Sequence, residues 1–313
     1  MDKPRLRDYA DGMISIAHLP DRTRGILFML VSVTAFSLMD AIAKMLGQRV
    51  DVSQILLARY GGQLVVVLVL FGPSLARIAR TAHPVLQLVR AIFQLCAAGC
   101  FFIGLKSLGL AEATAVGDLS PLFITLLAAL FLGEKVGPRR LISIGVALCG
   151  ALLIIKPGTD VFTPAAFWPL AAALCLAGYA VVTRHIGTRE SPLTALLYSG
   201  LFGTAMMSLT APARWVAPDD TALILMAVIG VIGTLGQLMM IRAYMAAEAS
   251  VVAPFSYAGL ITATLWGVIF FGMWPDLLTV VGAVVIVSAG LYVWHRETRD
   301  ARLAVTVLEG EAR

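Results

Sequence analysis

Charge is scarce in this chain: 14% of its 313 residues are Asp, Glu, Lys or Arg, against 59% hydrophobic, where soluble domains carry about 25% charged residues. With a mean hydropathy of +0.88, a water-soluble fold is excluded. Cysteine is scarce too. Cys96, Cys100, Cys149 and Cys175 all fall inside apolar stretches, where a disulfide would do no work, and are read as small packing residues in the reduced form. Cys96 and Cys100 share a helical face, but His18, His83, His185 and His295 are scattered near segment ends. No metal site is expected, because such a site needs several soft ligands converging. A P-loop, a nucleophile elbow and paired catalytic carboxylates are all lacking, so the chain is not read as an enzyme, no cofactor is expected, and ATP-driven work would need a separate subunit. The net charge of +5 and a pI near 9.2 would point to nucleic acid in a soluble protein. Here they point to basic loops on one side of a bilayer.

What is present is apolar length. Runs bounded by charge, Pro or Gly fall at 25–45, 53–72, 84–105, 110–132, 139–155, 164–183, 192–211, 221–241, 250–272 and 277–294. A bilayer core about 30 Å thick takes about 20 apolar residues per helix, so the expected fold is all-α, a polytopic membrane protein of ten transmembrane helices. The first run follows a charged stretch and has no small-residue cleavage pattern, and is expected as a retained span. Of the 24 Lys and Arg, 17 fall on the side of the N-terminus, five on the other, and Arg59 and Arg90 within spans. Basic loops stay in the cytoplasm, so both termini are expected there, in a bacterial-type inner membrane.

The chain also repeats itself. Lys106 to Val116, with a cation and Glu112 six residues apart, matches Arg242 to Val252 with Glu248 at a separation of 136. Lys44 and Gly47 match Arg184 and Gly187, Tyr60 and Gly62 match Tyr198 and Gly200, and Ile144-Gly145 resembles Val281-Gly282 at nearly the same offset. Five helices per half is odd, so the second half enters the membrane upside down, the inverted-repeat plan of secondary transporters. The expected organisation is an N-tail at 1–24, repeats at 25–158 and 159–295, and a C-tail at 296–313.

Several motifs carry a family likeness: Asp40 to Lys44, Arg59-Tyr60, Leu88-Val89-Arg90, Glu112 through Pro121-Leu122-Phe123, Leu132-Gly133-Glu134-Lys135, Gly145 to Gly150 with Lys156-Pro157-Gly158, and Ala253-Pro254-Phe255-Ser256-Tyr257. On these the chain resembles the drug/metabolite transporter superfamily, specifically its EamA-type ten-helix members, from Arg24 to Trp294. The second half departs from the pattern, since Gly272-Met273-Trp274 has no glutamate where Leu132-Gly133-Glu134 does. The resemblance implies an inner-membrane carrier of small organic solutes with a central cavity lined by helices 1, 3, 4, 6, 8 and 9. Around Asp40, Lys44 and Pro254 to Tyr257 it is nearest to members associated with S-adenosylmethionine or riboflavin.

Ionisable groups within spans cost about 2.5 to 3.5 kcal/mol each at mid-membrane on insertion scales, so each needs a partner or a wet cavity. Asp40 in the first helix and Arg59 in the second lie at similar depth and admit two readings, a structural ion pair or a solute or gating role. Lys44, one turn on, either snorkels outward or shares the Asp40 carboxylate. Asp118 is the sharper candidate. It lies about 12 Å into the fourth helix, three residues before Pro121, whose ring removes a backbone hydrogen bond and loosens the helix there. It could hold a proton, a cation or an amino group. Pro254 plays the matching part in the ninth helix, followed by Ser256 and Tyr257. Tyr257 and Trp266 could stack on an aromatic solute or simply pack. Arg90 lies about 9 Å inside the third helix, with Gln94 a turn deeper, as an inner gate or an anion partner. Tyr179, Tyr198 and Gln237 add polar tips at cavity depth. Lys106 with Glu112, and Arg242 with Glu248, are expected as structural ion pairs across tight turns. The Gly230, Gly233 and Gly236 series is a helix-approach face and not a phosphate loop.

The leading expectation is a secondary active carrier of a small zwitterionic or amphipathic metabolite, driven by protons or by exchange. The runner-up is a cofactor-type uptake or exchange carrier for a solute like S-adenosylmethionine or riboflavin. A membrane enzyme and a channel are the rivals from other classes. The expected partners are a small-molecule solute, the lipid bilayer and, if coupled, protons, with no nucleic acid. Monomer and homodimer both stay open.

Overall fold

A computed structural model describes residues 21–132, 138–155, 164–186, 190–246, 253–292 and 295. The described residues are helical, with no strand among them. We number the helices α1 (Asp21–Leu46), α2 (Val52–Phe71), α3 (Leu75–Ile78), α4 (Pro84–Leu105), α5 (Leu110–Gly117), α6 (Ser120–Leu132), α7 (Pro138–Ile155), α8 (Phe167–Ile186), α9 (Pro192–Thr210), α10 (Asp220–Ala246) and α11 (Ala258–Phe271). The last is α12 (Leu277–Tyr292). Short 3-10 turns at Pro164–Ala166 and Ala253–Tyr257 lead into α8 and α11.

Among the described residues, six helical stretches are long and apolar enough to cross a membrane: Thr23–Leu46, Val52–Ile78, Pro84–Leu105, Pro164–Thr183, Pro192–Arg214 and Asp220–Ala243. Shorter apolar helices cover Gly145–Ile154, Phe255–Phe271 and Leu277–Tyr292. Their outward side chains are apolar, among them Val69, Leu130, Phe131, Leu209, Ile224 and Ile261, the surface expected where lipid replaces water. The fourth apolar run differs from the continuous helix the hydropathy predicts. It breaks at Asp118–Leu119 into α5 and α6, because Pro121, the second residue of α6, has no N–H to reach the Gly117 carbonyl and the chain turns instead. The Asp118 N–H still bonds Thr114 O at 2.8 Å, while Leu119 N–H bonds Val116 O at 3.2 Å.

The helices assemble by close approach at small residues. α1 lies along α10 and α11, α2 between α9 and α10, and α4 along α8 and α9, while α8 also covers α5 and α6. Where α2 crosses α10 the two backbones touch: a methyl on Gly62 would stand 2.7 Å from Gly230 Cα. The expected packing face is therefore real at Gly230, and Gly233 and Gly236 receive Met39 and Phe36 of α1. α7 and α12 meet in the same way, with a methyl on Gly150 only 2.9 Å from Gly282 O. Such approaches let van der Waals contact hold helices together where no hydrophobic drive exists. Near the middle of the bundle Tyr60 is fully buried and donates to Gln94 O at 3.2 Å.

Each end of the bundle is tied by long-range polar contacts. At the end where α1 finishes, Gln54 forms a two-way bond with the Val216 backbone, donating to its carbonyl at 2.8 Å and accepting from its N–H at 2.9 Å. An Arg49–Asp219 ion pair lies beside it. At the other end, Glu190 accepts from the Thr81 hydroxyl, Ala82 N–H at 2.9 Å, His83 N–H at 3.2 Å and the Gln87 amide. Partial burial raises the Glu190 carboxyl pKa, but these four donors outweigh it and hold the value below that of a free glutamate, as hydrogen bonds to the charged form do.

Candidate functional site

Three polar layers are stacked along the bundle. In the first, near the end of α1, Lys44 is 5% exposed. It neither snorkels outward nor shares the Asp40 carboxylate. Its Nζ donates to Leu105 O at 2.7 Å and Leu108 O at 2.5 Å, 5.6 Å from the centre of the Phe271 ring. These carbonyls belong to the last turn of α4 and the bend after it, where acceptors lack helical donors and a cation is favoured.

The pairing expected between Lys106 and Glu112 does not form. Glu112 folds back on its own helix and accepts from Gly109 N–H at 3.1 Å, the return half of a capping box, while Lys106 is exposed. Lys44 lies within electrostatic reach of Glu112. Arg242 is exposed, and Glu248 lies outside the described residues. Asp40 and Arg59 come within electrostatic reach of one another but form no ion pair. The Arg59 guanidinium lies 5.3 Å from the Tyr60 ring centre and 5.6 Å from that of Phe102, a setting that suits its planar charge.

The middle layer is the break. Asp118 ends α5, and its Oδ2 is buried with no hydrogen-bond partner. The α5 helix lies against α11 and α8, which brings the Tyr257 hydroxyl within electrostatic reach of the Asp118 carboxyl. Tyr257 itself closes the 3-10 turn that holds Pro254 and Ser256. The break between α5 and α6 and the 3-10 turn before α11 thus each bring one polar group within reach of the other. Trp266 is committed elsewhere: its Nε1 donates to Ser37 Oγ at 3.2 Å and its ring stacks on Phe270 at 5.6 Å.

The third layer lies toward the Glu190 end. Arg90 is 7% exposed, its Nη2 has no partner, and its guanidinium lies 5.8 Å from the Tyr179 ring centre. Gln237 donates its Nε2 to the Tyr179 hydroxyl at 3.3 Å, fixing the ring. Gln94 is buried and its backbone carbonyl takes the Tyr60 hydroxyl. Tyr198, expected at cavity depth, instead donates to Ala79 O at 3.1 Å. Glu190 and Gln87 escaped the sequence reading, and the only signal for them was a carboxylate and an amide near helix starts, facing each other across 103 residues.

A helical bundle with apolar flanks, a helix broken beside a buried carboxyl and a buried arginine with an unpartnered nitrogen is the anatomy of a membrane transporter. The chain belongs to the EamA-like transporter family, whose model matches residues 23–156 and again 163–294. It is 28% identical over 280 residues to the S-adenosylmethionine uptake transporter of Rickettsia prowazekii, covering 88% of this chain and 94% of the relative. It is 30% identical over 296 residues to the riboflavin transporter of Rhizobium johnstonii, covering 92% and 97%, and 29% identical over 272 residues to the pseudopaline exporter CntI of Pseudomonas aeruginosa, covering 85% and 94%. A solved chain superposes with a TM-score of 0.61 at 20% identity, covering 88% of this chain and 98% of its own, so the fold is shared. The chain is a multi-pass membrane protein, and its family and relatives point to transport and not to catalysis.

Proposed function

We propose that the protein is a secondary active carrier with ten spans and both termini cytoplasmic, moving a small zwitterionic or amphipathic metabolite by alternating access. The observation that carries this reading is Asp118, a carboxyl with a buried, unpartnered oxygen at the point where α5 and α6 part. A charged group inside a membrane bundle needs a partner. Here that partner is the solute's amine or a proton, held beside Tyr257. The inverted repeat then supplies two related conformations that open this place to either side in turn, with coupling by protons or by exchange. In chain order, the first repeat is 25–158 and the second 159–295. Relatives named for S-adenosylmethionine uptake and riboflavin transport support a cofactor-like solute as the second reading.

The test is uptake into proteoliposomes of radiolabelled S-adenosylmethionine, riboflavin and amino acids under an imposed pH gradient. Asp118→Asn removes the titratable proton and keeps the shape. It is expected to abolish accumulation against a gradient while solute exchange continues. A variant that still concentrates solute contradicts the assignment of coupling to Asp118.

A further inference from the structure

Arg90 lies apart from the Asp118 break. Counted at about 1.5 Å per residue, Arg90 is 15 residues from the Leu105 end of α4 and Asp118 is eight from the adjoining start of α5. The two charges are therefore about 10 Å apart along the bundle axis. Three observations bear on the Arg90 surroundings. The side chain is buried, and its Nη2 is wholly enclosed with no hydrogen-bond partner. A buried cation left this way is costly unless something completes it. The carboxylate that acts on it, Glu190, is committed to Thr81, Ala82, His83 and Gln87 and forms no ion pair with Arg90. Finally, the Tyr179 hydroxyl accepts from Gln237, which leaves its own proton free to donate next to the guanidinium.

We infer that Arg90 and Tyr179 form an anion subsite that takes the carboxylate of the transported solute. The chemistry is that of a planar guanidinium binding a planar carboxylate through two parallel N–H donors, with the tyrosine hydroxyl as a third. Glu190 acts as a positioning residue: by holding the start of α4 through Gln87 it sets where Arg90 stands, one turn further on. The solute class follows. It carries a carboxylate, and with Asp118 opposite it carries a cationic group as well, as an α-amino acid moiety does. This deepens the carrier reading and rests on it.

The experiment uses the full-length protein in proteoliposomes and matched pairs of solutes that differ only by the carboxylate: S-adenosylmethionine with its decarboxylated form, methionine with 3-methylthiopropylamine, phenylalanine with phenethylamine, and riboflavin as the reference without charge. Counterflow is measured for each. The acid member of at least one pair is expected to exchange with an apparent affinity about tenfold or more above its amine. Arg90→Gln is expected to erase that preference, and Arg90→Lys to restore part of it as a point charge. Saturable counterflow with no preference for the acid in any pair, or preference for riboflavin, overturns the anion subsite and leaves the carrier standing. A preference that survives Arg90→Gln in a folded variant overturns the assignment to Arg90. No saturable counterflow of any solute overturns the carrier reading and the subsite with it.

Discussion

At Glu190 two oxygens accept four hydrogen bonds from the segment leading into α4, and the direction of its pKa shift gives a pH dependence. Its folded value lies below the ordinary glutamate value of 4.5. The clamp's contribution is fully present above the unfolded value and is lost as pH falls through the folded one, so it disappears on the acid side of about pH 4.5. Glu190→Gln in detergent is expected to lower the melting temperature at neutral pH and to flatten the acid limb of a plot of melting temperature against pH, so that the two proteins converge on the acid side of about pH 4.5. An identical acid limb in both proteins would show that the clamp does not titrate. Lys44 gives a second prediction at this scale. Lys44→Met keeps the stem and removes the ammonium from Leu105 O and Leu108 O, leaving buried carbonyls unpaired, which costs about 1–3 kcal/mol. Thermal or denaturant unfolding of the purified variant measures it.

Helices were legible from hydropathy because lipid makes every span pay the same rule, an apolar run of fixed length. The runs at 25–45, 84–105 and 192–211 lie over α1, α4 and α9 to within a few residues. The break between α5 and α6 was signalled by Pro121, since the missing N–H is a property of the residue itself. The partners of the charges were not legible. Lys44 meets carbonyls 61 and 64 residues away, and backbone acceptors have no sequence signature. Glu112 looked like a partner for Lys106 because both stand at one turn, yet the nearer unsatisfied donor was the Gly109 N–H of its own helix. The Gly230 face was legible as a packing surface but not its partner, Gly62. Gly62→Ala is expected to push α2 off α10, because a methyl would stand 2.7 Å from backbone and not from a flexible side chain. Overpacking of this kind costs about 1–3 kcal/mol, to be read as a lowered melting temperature, whereas Gly61→Ala on the same helix meets nothing within 4 Å and should change little.

Across the whole molecule, the family model matches two stretches, 23–156 and 163–294; the first holds the helix break at Asp118–Leu119 and the second the 3-10 turn ending at Tyr257. The candidate site draws on both: Asp118 and Arg90 come from the first stretch, Tyr179, Gln237 and Tyr257 from the second. On the proposed carrier reading, a cycle that moves one half against the other has to open in turn the polar ties at the two ends, Gln54 with Val216 and Glu190 with the start of α4. The most direct measurement is paired: solute counterflow and pH-gradient-driven accumulation, in the same proteoliposomes, for the wild type and Asp118→Asn. The account predicts that both proteins exchange solute with saturation and that only the wild type accumulates it. Equal accumulation by the two, or flux that rises linearly with solute and never saturates, would contradict it.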